Sequence, residues 1–273
     1  MKLPKSPRAV VTGGGSGLGR AISLSVASRG GRIVVGDLNL EGAEETARLV
    51  RAQGGEAVAI RADVTKVEDM EAMADEASRA FGGTDLLVNN AGVAVAGLIG
   101  EIPLEDWDWI FRINLMGVVH GCHVFAPAFK AQKSGFILNV ASSAGIATLP
   151  EMAPYNASKA AVIALSETLY SELGAHGIAV SALCPTFFKT NLLDTMRASD
   201  PSHAKKAQAF FDRSKITAEE VAEIALDGLE RGAPIIIPQL DGSFVHRLKR
   251  LSPSLYLKLL RFGQARGLTE KLF

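Results

Sequence analysis

The sequence predicts an α/β fold in which a doubly wound, parallel, seven-stranded sheet carries helices on both faces. Short runs of aliphatic and β-branched residues alternate with longer helical patterns, which is the order of βαβ units. Most of the short runs are apolar throughout, as strands that are covered on both faces should be. A chain of 273 residues is long enough to bury a substantial core. We therefore expect a single domain over residues 1–273.

The elements follow in order along the chain. The expected strands are Arg8–Thr12, Arg32–Gly36, Glu56–Arg61, Leu86–Asn89, Phe136–Val140, Ile178–Leu183 and Ile235–Ile237. The expected helices are Leu18–Arg29, Glu41–Gln53, Val67–Phe81, Leu104–Gln132, Tyr155–Ala175 and Ala218–Arg231. The last helix is preceded by Thr217 with Glu220 three residues later, a capping-box pattern.

Composition argues against several classes of protein. The 29 Lys and Arg residues balance 29 Asp and Glu residues, so net charge gives no basis for binding nucleic acid. Cys122 and Cys184 stand in apolar surroundings, which favours free core thiols in a reducing compartment over a disulfide or a metal site. No apolar run reaches the roughly 18 residues of a membrane span. We expect a cytoplasmic protein that holds no metal.

The first strand leads directly into a glycine-rich turn that runs from Thr12 to Gly19 with the letters TGGGSGLG. A strand, a glycine turn and a helix N-terminus together present N–H groups to an anion such as a pyrophosphate. The spacing differs from G-x-G-x-x-G, so a purely structural loop stays open. Asp37 ends the second strand, where a carboxylate can bind both ribose hydroxyls of an adenosine and repel a 2′-phosphate. This residue favours NAD over NADP.

Tyr155 and Lys159 lie four residues apart in a predicted helix and therefore share a face. A fixed cation lowers the pKa of a nearby phenol, which is about 10 in water. Such a tyrosine can take a proton from an alcohol. Because the pattern Y-x-x-x-K is short, a surface lysine one turn after a half-buried tyrosine is the alternative.

Three further motifs each have a local explanation as well as a functional one. Asp63-Val64 follows the third strand and can receive an adenine ring, or Asp63 can cap the next helix. Asn89-Asn90-Ala91-Gly92 can bridge strand ends beside a ribose, or form a plain turn. Asn114 lies inside a helical pattern, where asparagine is a poor helix former, and a buried kink would explain it.

These motifs, together with Ser142 and Pro185 with Thr190, resemble in order and spacing those of the short-chain dehydrogenase/reductase family. Members are nicotinamide-dependent oxidoreductases with a Rossmann fold. The resemblance covers about residues 8–238 and leaves 239–273 as a C-terminal extension. It implies cofactor binding by Thr12, Gly13, Gly17, Leu18, Gly19, Asp37, Asp63, Val64, Asn90, Ala91, Gly92, Tyr155, Lys159, Pro185, Phe188 and Thr190.

The resemblance also implies a catalytic set of Asn114, Ser142, Tyr155 and Lys159. Tyr155 would be the acid/base, Ser142 would hold the substrate oxygen, and Lys159 would lower the pKa of the tyrosine and bond the nicotinamide ribose. Asn114 would fix a water next to the lysine. Ser142 stands thirteen residues before Tyr155, with glycine three residues after the serine, as in the family. The adjacent Ser143 is the alternative.

The expected substrate is a hydrophobic secondary alcohol or ketone, such as a steroid-like, aryl or medium-chain compound. The family commonly has glycine after the proline, where this chain has Thr186 followed by two phenylalanines. An NADPH-preferring ketoreductase and a non-catalytic dinucleotide-binding regulator are the alternative functions. The apolar wall candidates are Ala94, Val95, Ala144, Ile146, Leu149, Met152, Phe187, Phe188, Leu192, Leu193, Met196, Phe210 and Phe211.

The remaining expectations concern the chain end and assembly. Residues 242–266 form an apolar and basic pattern that predicts two short amphipathic helices split at Pro253. We expect them to pack over the substrate pocket or a neighbouring subunit, with peripheral membrane contact as the alternative. In the family, the helices that bear Asn114 and Tyr155 pair across a twofold axis, which implies a homodimer or homotetramer.

Overall fold

The computed structural model describes residues 1–188 and 190–267, without the side chains at positions 191, 204, 206, 207, 210 and 213. Phe210, expected in the substrate wall, therefore lies outside the described side chains. The strands of the described part are β1 (Arg8–Thr12), β2 (Arg32–Asp37), β3 (Glu56–Arg61), β4 (Leu86–Asn89), β5 (Val95–Ala96), β6 (Gly135–Val140), β7 (Ile178–Leu183), β8 (Arg197–Ala198) and β9 (Ile235–Ile236).

Helices alternate with these strands. They are α1 (Gly17–Ser28), α2 (Leu40–Ala52), α3 (Val67–Phe81), α4 (Leu104–Phe111), α5 (Gly117–Gln132), α6 (Ala144–Ala147), α7 (Ala153–Gly174), α8 (Pro201–Arg213), α9 (Ala218–Glu230), α10 (Leu240–Leu251) and α11 (Pro253–Ala265). A π-helical turn, Arg112–Met116, joins α4 to α5, and a 3₁₀ turn spans Asn191–Leu193. Within the described residues, no helix is long and apolar enough to cross a membrane.

The main sheet has seven parallel strands in the order β3-β2-β1-β4-β6-β7-β9. This confirms the doubly wound sheet that the sequence predicts. The order reverses direction between β1 and β4, and ligands of such sheets bind outside the strand carboxyl ends at this switch point. The register pairs Val11 with Val35 and with Val88, so the ends of these strands meet at one edge.

Alternating strand residues divide the core between the two faces of the sheet. Val11 and Val35 belong to a buried cluster with apolar residues of α1, α2 and α9. Their neighbours Val10 and Val34 belong to a second cluster with residues of α3, α5 and α7. Because successive strand side chains point to opposite faces, a strand covered on both faces is apolar at most of its positions.

The structure departs from the predicted elements at several places. The single helix expected over Leu104–Gln132 contains the π-helical turn centred on Asn114. The two-residue strands β5 and β8 form a separate parallel pair, and β8 leads into α8. The β5–β8 pair was not predicted, since two-residue strands carry no measurable periodicity. The helix α8 was not predicted either. The two C-terminal helices are present and separate at Pro253, as predicted.

Candidate active site

A cavity of about 720 Å³ opens at the carboxyl edge of the sheet. Its lining runs from the glycine turn to the segment that carries β8 and α8. Of the expected site residues, Ser142, Tyr155 and Lys159 line this cavity, as do Gly13, Gly17, Leu18, Asp37, Asp63, Val64, Asn90, Ala91, Gly92, Pro185, Phe188 and Thr190. Thr12, Gly19 and Asn114 lie behind the lining.

The glycine turn allows a close backbone approach. Gly13 has a φ of 60°, and a Cβ atom there would lie 2.8 Å from the Cα of Ala91. The turn is followed by the N-terminus of α1, where Ser16 makes no side-chain capping bond to the first turn. Unsatisfied N–H groups and the positive end of the helix dipole therefore face the cavity, as a pyrophosphate requires.

Thr12 and Asn90 join the ends of β1 and β4. The side-chain amide of Asn90 donates to the carbonyls of Thr12 (3.0 Å) and Gly13 (2.9 Å). The Thr12 hydroxyl oxygen accepts from the backbone N–H groups of Asn90 (3.0 Å) and Ala91 (3.1 Å). The four bonds fix the glycine turn against the segment that enters Gly92.

Asp37 and Asp63 lie at the ends of β2 and just beyond β3. The carboxylate of Asp37 accepts from the backbone N–H of Gly15 (2.8 Å) and of Asn39 (2.9 Å). Asp63 accepts from the N–H and hydroxyl of Thr65 (3.0 and 2.7 Å). Burial raises the pKa of Asp63, but the Thr65 bonds outweigh it and the pKa lies below its usual value. Asp63 thus caps a local turn and also lines the cavity.

Tyr155, Ser142 and Lys159 come together at the ends of β6 and α7. Burial raises the pKa of the Tyr155 phenol, and a hydrogen bond with Ser142 acts in the opposite direction. The Lys159 ammonium lies 5.9 Å from the centre of the Tyr155 ring and donates to the Val140 carbonyl at 2.8 Å. Lysine and tyrosine share a helix face, as predicted, but burial dominates the pKa of this phenol.

Lys159 is 4% exposed, and burial lowers its pKa to about 8. Asn114 is fully buried and bonds through its amide to the Val93 N–H (2.8 Å), the Val93 carbonyl (3.0 Å) and the Ser158 hydroxyl (3.1 Å). A Cβ atom at Gly92 would lie 3.2 Å from Asn114 Oδ1 and 3.3 Å from Lys159 Nζ. The asparagine and the lysine therefore converge on Gly92.

Ser143 and Gly145 shape the loop around Ser142. The N–H of Ser143 donates to the Pro185 carbonyl at 2.9 Å, and α6 begins at the next residue. A Cβ atom at Gly145 would lie 2.7 Å from the backbone carbonyl carbon of Lys159. Only glycine lets α6 pack this closely on α7, which explains the glycine three residues after the serine.

Thr186 replaces the glycine expected after Pro185, and the structure gives the reason. Its backbone N–H donates to the Gln239 side chain at 2.9 Å, and its hydroxyl donates to Asp241 at 3.4 Å. Gln239 also donates to the Phe187 carbonyl at 3.3 Å. Gln239 therefore connects the cavity wall at Thr186 and Phe187 to the start of α10.

The C-terminal helices pack beside the cavity. The Tyr256 hydroxyl donates to the Ala147 carbonyl (2.7 Å), and Lys249 donates to the Ile146 carbonyl (2.6 Å). Gln264 reaches the cavity lining. Of the wall candidates with described side chains, Val95 and Ile146 do not line the cavity, whereas Ala94, Ala144, Leu149, Met152, Phe187, Phe188, Leu192, Leu193, Met196 and Phe211 do.

Sequence reasoning missed several polar residues of the lining, among them Glu151 and His203. The side chains of these two residues are 2.8 Å apart and come from the loop before Tyr155 and from α8. The sequence carries one signal for that helix, since Asp200 followed by Pro201 is a helix-start pattern. Asp200 caps α8 by accepting from the Ser202 N–H at 2.8 Å.

The arrangement fits a nicotinamide dinucleotide. A glycine cradle and a helix N-terminus suit a pyrophosphate, the carboxylate of Asp37 suits an adenosine ribose, and the buried Tyr155 and Lys159 stand where the strand ends meet. No group of acidic, histidine or cysteine side chains in the described residues could hold a metal ion. Both cysteines are buried free thiols. Fold and site together define a dinucleotide-binding oxidoreductase.

Comparison with known proteins identifies the family. The family model "short chain dehydrogenase" matches residues 7–201. Putative oxidoreductase SadH of Mycobacterium tuberculosis is 30% identical over 262 residues, covering 94% of this chain and 95% of that protein. The 3-oxoacyl-acyl-carrier-protein reductase FabG of Staphylococcus aureus is 36% identical over 200 residues, covering 72% and 79%.

Solved structures agree. A short chain dehydrogenase/reductase from Burkholderia phymatum, in complex with NAD, superposes with a TM-score of 0.87 at 35% identity, covering 92% of this chain and 95% of that one. Levodione reductase superposes with a TM-score of 0.78 at 28% identity, covering 89% and 99%. The chain belongs to the short-chain dehydrogenase/reductase family and is an NAD(P)-dependent alcohol/ketone oxidoreductase.

Replacing Lys159 by Met should change the pH dependence of stability. The unfolded lysine titrates near 10.5 and the folded one at about 8, so the buried ammonium destabilises the fold below pH 8. Wild-type stability therefore rises from pH 8 to 10.5. In Lys159→Met this rise disappears, a relative change of about 3 kcal/mol in the free energy of unfolding.

Urea unfolding across this pH range measures the effect. Lys130→Met, at an exposed position of α5, is the control and should keep the wild-type pH dependence. A Lys159→Met curve parallel to that of the wild type would contradict the depressed pKa.

Proposed function

We propose that this protein transfers a hydride between NAD(H) and a hydrophobic secondary alcohol or ketone, with Tyr155 as the acid/base. The observation that carries the proposal is the meeting of Tyr155, Ser142 and Lys159 in one buried corner of the cavity. A phenol, a hydroxyl and an ammonium in that arrangement can bind a substrate oxygen and move its proton. A bound nicotinamide supplies the hydride acceptor or donor.

The residues divide the proton chemistry between them. In oxidation, the alcohol carbon loses a hydride and Tyr155 takes the hydroxyl proton, while Ser142 holds the oxygen. In reduction, Tyr155 returns that proton to the oxygen. Because burial raises the pKa of Tyr155, the phenol is protonated at neutral pH and ready for reduction, and oxidation gains from higher pH.

Lys159 and Asn114 complete the proposed site. The buried Lys159 ammonium stabilises the negative charge of the tyrosinate. Because its charge lies in a low-dielectric environment, it also suits a hydrogen bond to a ribose hydroxyl. Asn114 acts from behind the lining by fixing the backbone at Val93 and by converging with Lys159 on Gly92. This convergence supports a path for protons from Lys159 toward solvent by way of a water molecule.

The substitution Tyr155→Phe tests the mechanism. It should lower alcohol oxidation, followed by NADH absorbance, by at least about 100-fold, because general acid–base catalysis supplies a factor of that size. Binding of NAD, measured by calorimetry, should persist. Tyr170→Phe, on the same helix and 41% exposed, should keep wild-type turnover. Full activity of Tyr155→Phe would contradict the assignment of Tyr155 as the acid/base.

Asp37 supports NAD as the preferred cofactor. Its carboxylate lines the cavity at the end of β2, held by the Gly15 N–H at 2.8 Å. A carboxylate there can bond ribose hydroxyls and repels a 2′-phosphate. The alternative, an NADPH-preferring ketoreductase, would need a cation in this position.

The substitution Asp37→Asn tests cofactor preference. It removes the charge and keeps the side-chain size, so the ratio of kcat/KM for NAD over NADP should fall by about tenfold or more, since bonds to charged groups are the strong ones. Steady-state kinetics with both cofactors measure the ratio. Glu41→Gln, an exposed acid outside the lining, should leave it unchanged. A wild-type ratio below one would favour the alternative.

The substrate class follows from the wall of the cavity. The apolar side chains of Leu149, Met152, Leu192 and Met196 line it, and Phe187 packs edge-on against Phe211 with ring centres 5.4 Å apart. This wall supports a steroid-like, aryl or medium-chain compound. Two of the relatives are named as a 3-oxoacyl-acyl-carrier-protein reductase and a levodione reductase.

Assembly as a homodimer, or as a tetramer built from it, is supported by α5 and α7. Apolar side chains of these helices and the π-helical turn remain partly exposed, among them Ile113, Leu115, Ile163 and Leu165. Pairing across a twofold axis would cover them. Sedimentation that gives a monomer mass would contradict this assembly.

The outer face of the C-terminal helices supports a peripheral contact with an anionic membrane, in a protein that is otherwise cytoplasmic. Residues 240–267 contain six basic residues and one acidic residue, Asp241, although the whole chain is neutral. Phe244 (66% exposed) and Leu251 (85%) project from this region. Basic charge beside exposed apolar side chains fits a lipid surface with negative headgroups.

Vesicle sedimentation tests this contact. The protein should sediment with vesicles that contain phosphatidylserine, less so in high salt, and not with pure phosphatidylcholine. Phe244→Ser with Leu251→Ser should weaken binding, whereas Leu104→Ser, an exposed leucine outside the extension, should not. Absence of vesicle binding by the wild type, together with a mass that falls in Phe244→Ser with Leu251→Ser, would instead assign the face to a second copy.

A further inference from the structure

A polar pair, the buried His203 and the half-buried Glu151, interrupts the apolar wall of the cavity. His203 is 9% exposed, and its Nδ1 lies 2.8 Å from the Glu151 carboxylate. Both residues line the cavity, together with Gln264. A polar pair in an apolar binding wall is the kind of group that fixes a ligand's orientation.

Glu151 is held in this position by a strained backbone conformation. Its φ is 65°, in the left-handed region that non-glycine residues rarely adopt. Its carbonyl accepts from the Gly97 N–H at 2.7 Å, which ties the loop to the segment after β5. Backbone strain of this kind is concentrated at binding and catalytic sites.

Glu151 is also close to the reacting centre. Tyr155 lies four positions later in the sequence, and a chain of that length spans at most about 14 Å between Cα atoms. One substrate of moderate size can therefore reach both the phenol and the polar pair.

The chemistry of the pair selects the group that it binds. With the carboxylate on Nδ1, the neutral imidazole carries its proton there, and Nε2 is left as an acceptor. In the described part of the chain Nε2 has no hydrogen-bond partner, and it is not one of the fully buried unsatisfied atoms. The neighbouring carboxylate repels an anion, so a neutral hydroxyl is the group that fits.

We propose that Glu151 and His203 form a specificity site for a second hydroxyl group of the substrate, away from the carbon that is oxidised. The inference rests on the proposed function and narrows its substrate to hydrophobic alcohols or ketones that carry another hydroxyl. Binding that hydroxyl through His203 Nε2 orients the molecule so that its carbinol oxygen meets Tyr155 and Ser142.

Matched substrates test the proposal. The pairs are hydrophobic secondary alcohols of one carbon skeleton, with and without a distant hydroxyl: medium-chain alkanols against their terminally hydroxylated forms, and fused-ring monools against diols. For at least one skeleton, wild-type kcat/KM should favour the hydroxylated member by about tenfold, the size of one well-placed hydrogen bond. His203→Phe should abolish this preference.

Two further variants separate binding from structure. Ser202→Ala changes an exposed residue of the same helical turn and should keep the wild-type preference. Glu151→Gln removes the negative charge, so the discrimination against a carboxylate-bearing analogue of the same skeleton should decrease by about tenfold. Thermal unfolding of each variant verifies that it is folded.

The outcomes distinguish the inference from the function on which it rests. If the wild type oxidises both members of every pair equally, the specificity site is wrong and the oxidoreductase assignment stands. If His203→Phe lowers kcat/KM for both members equally, the pair is a structural link between α8 and the loop, and the proposal is overturned. If the wild type oxidises no alcohol and reduces no ketone, the proposed function itself fails.

Discussion

The hydrogen bonds between Thr12 and Asn90 hold the point on which the rest of the site depends. They tie β1 to β4 at the strand ends, where the strand order reverses direction. On one side they fix the glycine turn and the N-terminus of α1. On the other they fix the segment through Gly92, beside which Lys159 and Asn114 converge. The end of the cavity at the glycine turn and the end that holds Tyr155 and Lys159 thus share one anchor.

Burial is the second constraint, and it acts differently on the two central side chains. It raises the pKa of Tyr155 and lowers the pKa of Lys159 to about 8. In both side chains burial therefore stabilises the neutral form more than water does. A hydrogen bond with Ser142 partly offsets the effect on the phenol. Close packing of α6 on α7 at Gly145 keeps the serine loop near this corner. The site therefore combines surroundings of low dielectric constant with a few fixed polar groups. This combination is the condition for strong electrostatic effects in catalysis.

Much of the cavity wall comes from parts of the chain outside the main sheet. The β5-β8 pair, α8 and the C-terminal helices meet above the strand ends, and Thr186, Gln239 and Tyr256 link them to the core through hydrogen bonds. Substitution of the expected glycine by Thr186 becomes intelligible here, because its hydroxyl reaches Asp241 at the start of α10. The cavity is thus closed by segments that lie outside the main sheet.

The sequence by itself determined the sheet, most helix limits and the positions of the motif residues. These depend on local periodicity, on glycine where backbone must pass close, and on the fixed spacing between Ser142, Tyr155 and Lys159. It indicated a buried kink at Asn114 as one alternative, but it did not reveal the π-helical geometry of that turn or the Glu151–His203 pair. Only the tertiary structure decided these, because a buried hydrogen-bond partner can stand at any sequence distance. Glu151 and His203 lie 52 positions apart in the sequence. A contact that forms only on folding leaves no periodic pattern in the sequence.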